Sequence, residues 1–306
     1  VRIGTRGSAL ALAQSGHVRK LLPGGEAENS LTIIETAGDR NPLASLRRIG
    51  GKGLFTKEIE IALLDRRIDL AVHSLKDLPT EEIPGLMIGA LLPREDPRDA
   101  LVARDGIHLD ALPQGALVGT SSLRRRSQLL ARRPDLVVED LRGNVPTRIA
   151  RVREGKFDAI VIAAAGLRRL QMAAEITETI DESIMLPAPG QGIVGIQIRA
   201  DDTETWAALR SIHDAMAEAE GTAERSFLSC LGGGCLVPVG ARGVARDGKL
   251  TLSGFVGHPD GRPSIRTSVE GSVSQAAELG VALAHLALAQ GAREILEAVR
   301  KDEVVP

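Results

Sequence analysis

Pro187-Ala188-Pro189-Gly190-Gln191-Gly192, followed at once by Ile193-Val194-Gly195-Ile196-Gln197-Ile198, is the stretch on which the fold turns. The prolines keep their neighbours extended and the glycines permit backbone angles that other residues resist, so the first half reads as a connection. The apolar second half reads as a strand over 193–198. It comes after a full series of strand and helix patterns, so it returns the chain to an earlier sheet. A matching break stands upstream at Pro93-Arg94-Glu95-Asp96-Pro97.

Outward from these two breaks the pattern is regular. Before the first lie strands over 2–5, 31–36, 69–73 and 86–92, a helix capped by Ser8 and a helix over 57–67. Between the breaks lie strands over 116–119, 136–141 and 158–163. A turn plus helix spans 120–133, and a helix opened by Pro146 spans 145–154. Two crossings between two α/β halves predict a cleft with a paired hinge, as in periplasmic binding proteins. After the second break the pattern predicts helices over 203–219 and 222–230. Strands follow over 239–244 and 249–256, turned at Asp247-Gly248, with a third over 265–269. A long Ala-rich helix over 274–300, interrupted near Gly291, completes the chain. The expected organisation is two periplasmic-binding-protein-like α/β domains joined by a double hinge, plus a small C-terminal α+β domain. The expected boundaries are 1–93 with 193–214, then 98–187, then 215–306.

Composition narrows the function. A chain of 306 residues with 43% hydrophobic and 25% charged residues belongs with ordinary folded proteins of two or three domains. Its net charge of −2 provides no general attraction to nucleic acid or anionic membrane. Aromatics at 2%, with no Tyr, exclude a stacking platform for single strands. Cys230 and Cys235 form neither a disulfide framework nor a zinc pattern, so no metal is expected. No apolar run is long enough to span a membrane, and residues 1–12 lack the order of a secretion signal. A reducing, cytoplasmic location is the expectation.

Cations recur at strand-to-helix turns. Gly119-Thr120-Ser121-Ser122-Leu123-Arg124-Arg125-Arg126 places three arginines in a first helical turn, where they oppose the helix dipole by about 0.3–1 kcal/mol each. Arg124 and Arg125 there, with the capping N–H groups, are expected to hold carboxylates or phosphates. Arg126, Arg132 and Arg133 read as a solvated face. Arg142-Gly143-Asn144 repeats the theme, with Arg148 one turn on, as do Arg6 with Ser8 and Arg168 with Arg169. Lys76 and Asp77 follow the strand over 69–73, at the end where open α/β sheets carry their chemistry. The alternative there is a surface ion pair worth under about 1 kcal/mol. His73 reads as a core histidine. Residues 37–57 form a long glycine-rich connection carrying Lys52 and Lys57, without P-loop spacing. Leu231-Gly232-Gly233-Gly234-Cys235-Leu236-Val237-Pro238 sets a cysteine on a triple-glycine loop. That cysteine reads either as a small core residue or as a thiol presented to something bulky.

Taken together these segments closely resemble the porphobilinogen deaminase (hydroxymethylbilane synthase) family over essentially the whole chain. The resemblance rests on Arg2-Ile-Gly-Thr-Arg6-Gly-Ser8, Gly51-Lys-Gly-Leu-Phe55, His73-Ser-Leu-Lys76-Asp77 and Gly119-Thr-Ser-Ser-Leu-Arg-Arg125. It continues through Arg142-Gly-Asn-Val, Ala163-Ala-Ala-Gly-Leu, Gly190-Gln-Gly192 and Gly233-Gly-Cys235-Leu-Val-Pro238. Leu236 departs from the polar or small residue often found in relatives. The resemblance implies a transferase of porphyrin, and so haem, biosynthesis that joins four porphobilinogen molecules head to tail and releases ammonia. Its product would be linear hydroxymethylbilane. It implies a dipyrromethane cofactor bound by a thioether to Cys235. It implies that Lys76, Asp77, Thr120, Ser122, Arg124, Arg125, Arg142 and Gly143 hold that cofactor. Arg6, Ser8, Arg142, Arg148, Arg169 and Gln191 would hold substrate, and Lys52, Phe55 and Lys57 would lie on a loop over the cleft. Asp77, with Lys76, would be catalytic, stabilising the cationic azafulvene formed as ammonia leaves. A monomer with no nucleic-acid or membrane partner is expected. The competing classes are a two-lobed binding protein for a small anion, which needs neither Asp77 nor Cys235, and a nucleic-acid binder using Arg124 to Arg126. Net charge and scarce aromatics oppose the latter.

Overall fold

The computed structural model describes residues 1–40, 55–233 and 237–304, with only the backbone of 302–304. Its strands, in chain order, are β1 (Arg2–Thr5), β2 (Ser30–Ile33), β3 (Leu70–Ser74), β4 (Leu86–Leu91), β5 (Asp99–Ala103), β6 (Leu117–Gly119) and β7 (Val137–Glu139). After them come β8 (Ala159–Ala163), β9 (Glu178–Thr179), β10 (Val194–Arg199), β11 (Val239–Arg246), β12 (Lys249–Gly257) and β13 (Ser264–Ser272). Three sheets result, ordered β2-β1-β3-β10-β4, β7-β6-β8-β5-β9 and β11-β12-β13.

The first two sheets are built alike. In each, parallel strands alternate with helices, and one strand runs against them. In the first sheet β10 pairs antiparallel with β3 and β4. In the second β5 pairs antiparallel with β8 and β9. Each antiparallel strand is the first one after a crossing, so both crossings run directly into the middle of a sheet. That firmly seats the hinge, because β10 is buried along its whole length.

Local signals place the helices as expected at their starts. Ser8 caps Ala9–Leu21 by accepting from the Ala11 N–H. Ser122 caps Leu123–Arg132 through the Arg125 N–H, and Asn144 caps Val145–Arg153 through the Thr147 N–H. The Asp247-Gly248 turn takes positive φ at both residues and joins β11 to β12 with Arg246 opposite Lys249, the geometry of a two-residue hairpin.

Three expectations need correction. Asp99–Ala103 was not expected as a strand, and it is a central one. The helices expected over 203–219 and 222–230 divide elsewhere, into Thr203–Leu209 and Ala215–Cys230. Asp214 opens the second by accepting from the Ala217 N–H, and Gly221 continues it because a Cβ there would lie 2.9 Å from Leu75 Cδ2. Packing thus overrides the low helix propensity of glycine. Arg133, read as solvated, donates to the carbonyls of Leu109 and Leu112 and pairs with Asp135. The interruption expected near Gly291 is present: Ala276–Ala289 and Ala292–Val304 are separated there, with Gly291 at a φ of 100°.

Candidate active site

The first-sheet wall of the site is the tight turn Leu75–Asp77 at the end of β3. Leu75 is fully buried and its N–H donates to the Ile193 carbonyl at 3.0 Å. Asp77 is exposed, while Lys76 beside it is half-buried. Lys76 Nζ donates to Gln191 Oε1 at 3.2 Å. Gln191 is completely buried, and its amide nitrogen donates onward to the Pro97 carbonyl and to Asp99 Oδ1. Expected among substrate-binding groups, Gln191 instead stands behind Lys76 with its amide fully committed.

The opposite wall is the start of Leu123–Arg132. Arg124 and Arg125 are both buried and both reach Asp99. Arg124 donates to Asp99 Oδ2 at 2.6 Å and to the Leu186 carbonyl. Arg125 donates to Asp99 Oδ1 at 2.7 Å and to the Val161 carbonyl. Burial alone would raise the Asp99 pKa, but the charges and hydrogen bonds of the two arginines outweigh it and hold the carboxyl well below the usual range. Thr120 is buried, its hydroxyl accepting from the Ser122 N–H. Arg126 donates to the Val138 carbonyl, so it braces β7 rather than standing free in solvent.

Arg148 stands one turn into Val145–Arg153 and donates to the Gly143 carbonyl at 2.7 Å. Burial pulls its pKa down to about 10, Arg125 and Arg142 pull the same way, and Asp77 opposes them. Lys76 is pulled down to about 8, chiefly by burial, with Arg125 and Arg124 adding to it and Asp77 and Asp99 opposing. These influences gather Lys76, Asp77, Arg124, Arg125, Arg142 and Arg148 into one electrostatic unit in which cations outnumber carboxylates. A polycarboxylate is the ligand such a unit lacks, so the residues fit a dipyrromethane group with its acetate and propionate arms.

Arg169 donates to the Gly192 carbonyl at 2.6 Å, joining the second sheet's unit to the hinge. Arg6 pairs with Asp39 at 2.5 Å and stacks on Phe55, 4.1 Å from the ring centroid. Lys57 is exposed at the start of Lys57–Leu64. His73 is buried with its pKa drawn down to about 4, mainly by burial, as a core histidine. Lys52 and Cys235 lie outside the described residues. Among those described, no group of His, Cys, Asp and Glu is arranged to hold a metal.

Sequence reasoning missed a second charged cluster at the hinge. Arg94 donates to Glu224 Oε1 at 2.6 Å, to Glu220 Oε2 at 3.0 Å and to the Gln191 carbonyl. Glu224 also accepts from the N–H groups of Gly190 and Gly243, and Arg242 pairs with Glu220. A signal was present: Glu220 and Glu224 are like charges one turn apart on a helix, which is unfavourable unless a cation lies between them. Asp99 carried no such local signal.

A cavity of about 720 Å³ lies behind the Asp77 turn, lined in part by Leu78, Pro79, Trp206, His213 and Arg225. It shares no residue with the cation-rich unit.

Two family models match the chain: porphobilinogen deaminase, dipyromethane cofactor binding domain, over residues 1–207, and porphobilinogen deaminase, C-terminal domain, over 219–289. The porphobilinogen deaminase of Brevibacillus brevis is 50% identical over 306 residues, covering 99% of this chain and 98% of its own. That of Deinococcus radiodurans is 49% identical, covering 98% and 99%. That of Thermus thermophilus is also 49% identical, again covering 98% and 99%. Among solved structures, the periplasmic VFT2 domain of Bordetella pertussis BvgS is similar with a TM-score of 0.41 and 16% identity, covering 69% of this chain and 86% of that one. Sheet order, with one antiparallel strand set inside each five-stranded sheet, carries the fold. No helix among the described residues is long and apolar enough to cross a membrane. Matched by both family models and by relatives along nearly all of its length, this chain belongs to the porphobilinogen deaminase family.

Proposed function

We propose that the unit formed by Lys76, Asp77, Arg124, Arg125, Arg142 and Arg148 is the active site in which porphobilinogen is joined head to tail. Family membership gives the reaction: this is the tetrapyrrole-biosynthesis transferase that makes hydroxymethylbilane from porphobilinogen. When bound through the Cys235 sulfur, the dipyrromethane group supplies the pyrrole carbon to which the first substrate is joined. The observation that carries the assignment of residues is geometric: Arg124 and Arg125 share the one carboxylate of Asp99, and Lys76 is tied to the same carboxylate through Gln191.

The residues divide the work by charge. Arg124, Arg125, Arg142 and Arg148 meet the acetates and propionates and orient the rings, with Thr120, Ser122 and the N–H groups of their turn assisting. Lys76 joins them as an ammonium. Asp77 is the exposed carboxylate facing these cations. It accepts from a pyrrole N–H and stabilises the positive charge that develops on the substrate ring as ammonia departs. It also takes up and returns the proton exchanged at the ring carbon. Arg6, Ser8 and Arg169 serve incoming substrate, and Lys52, Phe55 and Lys57 belong to a loop that covers the cleft. Sheet membership supports division into 1–93 with 193–214, 98–187 and 215–306, and we take the enzyme to work as a cytoplasmic monomer.

The test is ammonia release and bilane formation by Asp77→Ala. Turnover should fall by about 10²–10⁴-fold with the fold intact, the range for removing a positioned acid–base or electrostatic group. Near-normal turnover would sink the assignment.

A further inference from the structure

We propose that Arg225 is a positioning residue that fixes the Asp77 turn from the helix leading to Cys235; this rests on the reading of Asp77 given above. Arg225 lies near the end of Ala215–Cys230. Its guanidinium donates to the Leu78 carbonyl at 2.9 Å and to the Pro79 carbonyl at 2.7 Å. Those are the first two carbonyls after Asp77. The planar fork of an arginine suits two successive carbonyls, and a lysine reaches only as a point charge.

The same helix meets the turn at three levels. Ala217 packs in one apolar cluster with Leu75 and Leu78. Gly221 lies so close to Leu75 that a Cβ would meet its side chain at 2.9 Å. Arg225 completes the row, since residues four apart share a helix face. On the far flank, the hinge holds the turn through the Ile193 carbonyl and through Gly190, whose absent Cβ would lie 3.1 Å from the Lys76 nitrogen. The turn is therefore clamped from the hinge at its start and by Arg225 at its end. Burial disfavours the charge of Arg225, and among the described residues no acid offsets this. The two carbonyl dipoles are its compensation, so the cation has no ion-pair role that would explain its place. One helix thus holds, at three successive levels, the turn that carries the Asp77 carboxylate. A displacement of about 1 Å at such a point costs on the order of 10²-fold in rate.

Arg225 also borders the cavity behind the turn, so a shorter side chain opens into existing space rather than leaving a void in a packed core. The experiment uses full-length Arg225→Met and Arg225→Lys. The cofactor-loaded fraction is counted by intact mass, turnover is expressed per loaded enzyme, and hydrogen exchange is followed over 75–79. For Arg225→Met, kcat per loaded enzyme should fall about 10–100-fold with KM within about threefold. The Leu78 amide, which closes the turn onto the Leu75 carbonyl, should exchange faster. Arg225→Lys should lie between, and it decides the matter if the methionine variant does not fold. Turnover per loaded enzyme within about twofold of the parent, or a loss confined to loading or KM, overturns the proposal. Asp77→Ala is run beside them. If it is inactive while Arg225→Met is fully active, only the role of Arg225 falls; if it is active, the reading of Asp77 falls.

Discussion

Two buried arginine–carboxylate clusters flank the hinge, and they differ in one respect. At the Arg94 cluster, Arg94 and Arg242 meet Glu220, Glu224 and the half-buried Glu182, and the Glu224 oxygens take two further N–H groups. Every cation there has its carboxylate, so positive charge is balanced. At the Asp99 cluster a single carboxylate serves Arg124 and Arg125, with Lys76 attached through Gln191 and Arg148 close enough to feel Arg125. Charge is not balanced. Both meet the hinge at Gln191, and Arg94, Glu224, Asp99, Arg124 and Arg125 are all almost free of solvent, so burial alone does not distinguish them. The balanced cluster has no use for another ion and reads as a joint. The unbalanced one is completed by an anion and reads as a binding site.

The sharpest way to break this comparison is to remove one acid from each side. Glu224→Ala leaves Arg94 with Glu220 alone and removes the acceptor of the Gly190 and Gly243 N–H groups, and it should cost about 3–5 kcal/mol, read from denaturant midpoints, with no recovery on adding a polycarboxylate such as citrate. Asp99→Asn should cost about 3 kcal/mol without anions and recover in part with citrate, because external carboxylates replace the lost one. Identical responses to citrate would erase the distinction. Arg148→Met comes next. It relieves repulsion, so stability should hold to within about 1 kcal/mol while KM for porphobilinogen rises about tenfold.

The smallest effect concerns Lys76. Its folded pKa near 8 lies below the ordinary 10.5, so between those values the unfolded chain holds the extra proton. Stability therefore rises with pH across that window on account of this group. Below about pH 8 the ammonium is charged in both states and its burial opposes folding. Lys76→Met should melt higher than the parent at pH 7, with the gap narrowing toward pH 10. A gap that widens instead would mean that Asp77 and Gln191 favour the ammonium more than burial disfavours it.

Much of the scaffold was legible because its signals are local. Ser8, Ser122 and Asn144 cap where hydroxyl and amide caps belong, and Asp247-Gly248 turns where such a pair turns. The two crossings were legible from proline and glycine. Asp99–Ala103 was not, because a short strand buried on both faces shows no alternation and follows a charged run. The same miss explains the site. Arg124 and Arg125 were read as holding the carboxylates or phosphates of a ligand. Their first partner, Asp99, arrives from another strand, and nothing near either arginine in sequence announces it. Gln191 could be read as polar and near the hinge, but only packing reveals that all of its amide is used.

The central claim is that the cation-rich cluster holds a chain of pyrroles fixed to Cys235 while Asp77 acts on it. Intact mass of the purified protein, before and after porphobilinogen, tests this most directly. The account predicts an excess of two linked pyrrole units that is absent in Cys235→Ala. It further predicts that substrate adducts build up on the parent, with ammonia released, and not on Asp77→Ala. A parent protein that carries no excess and gains none on incubation would contradict it.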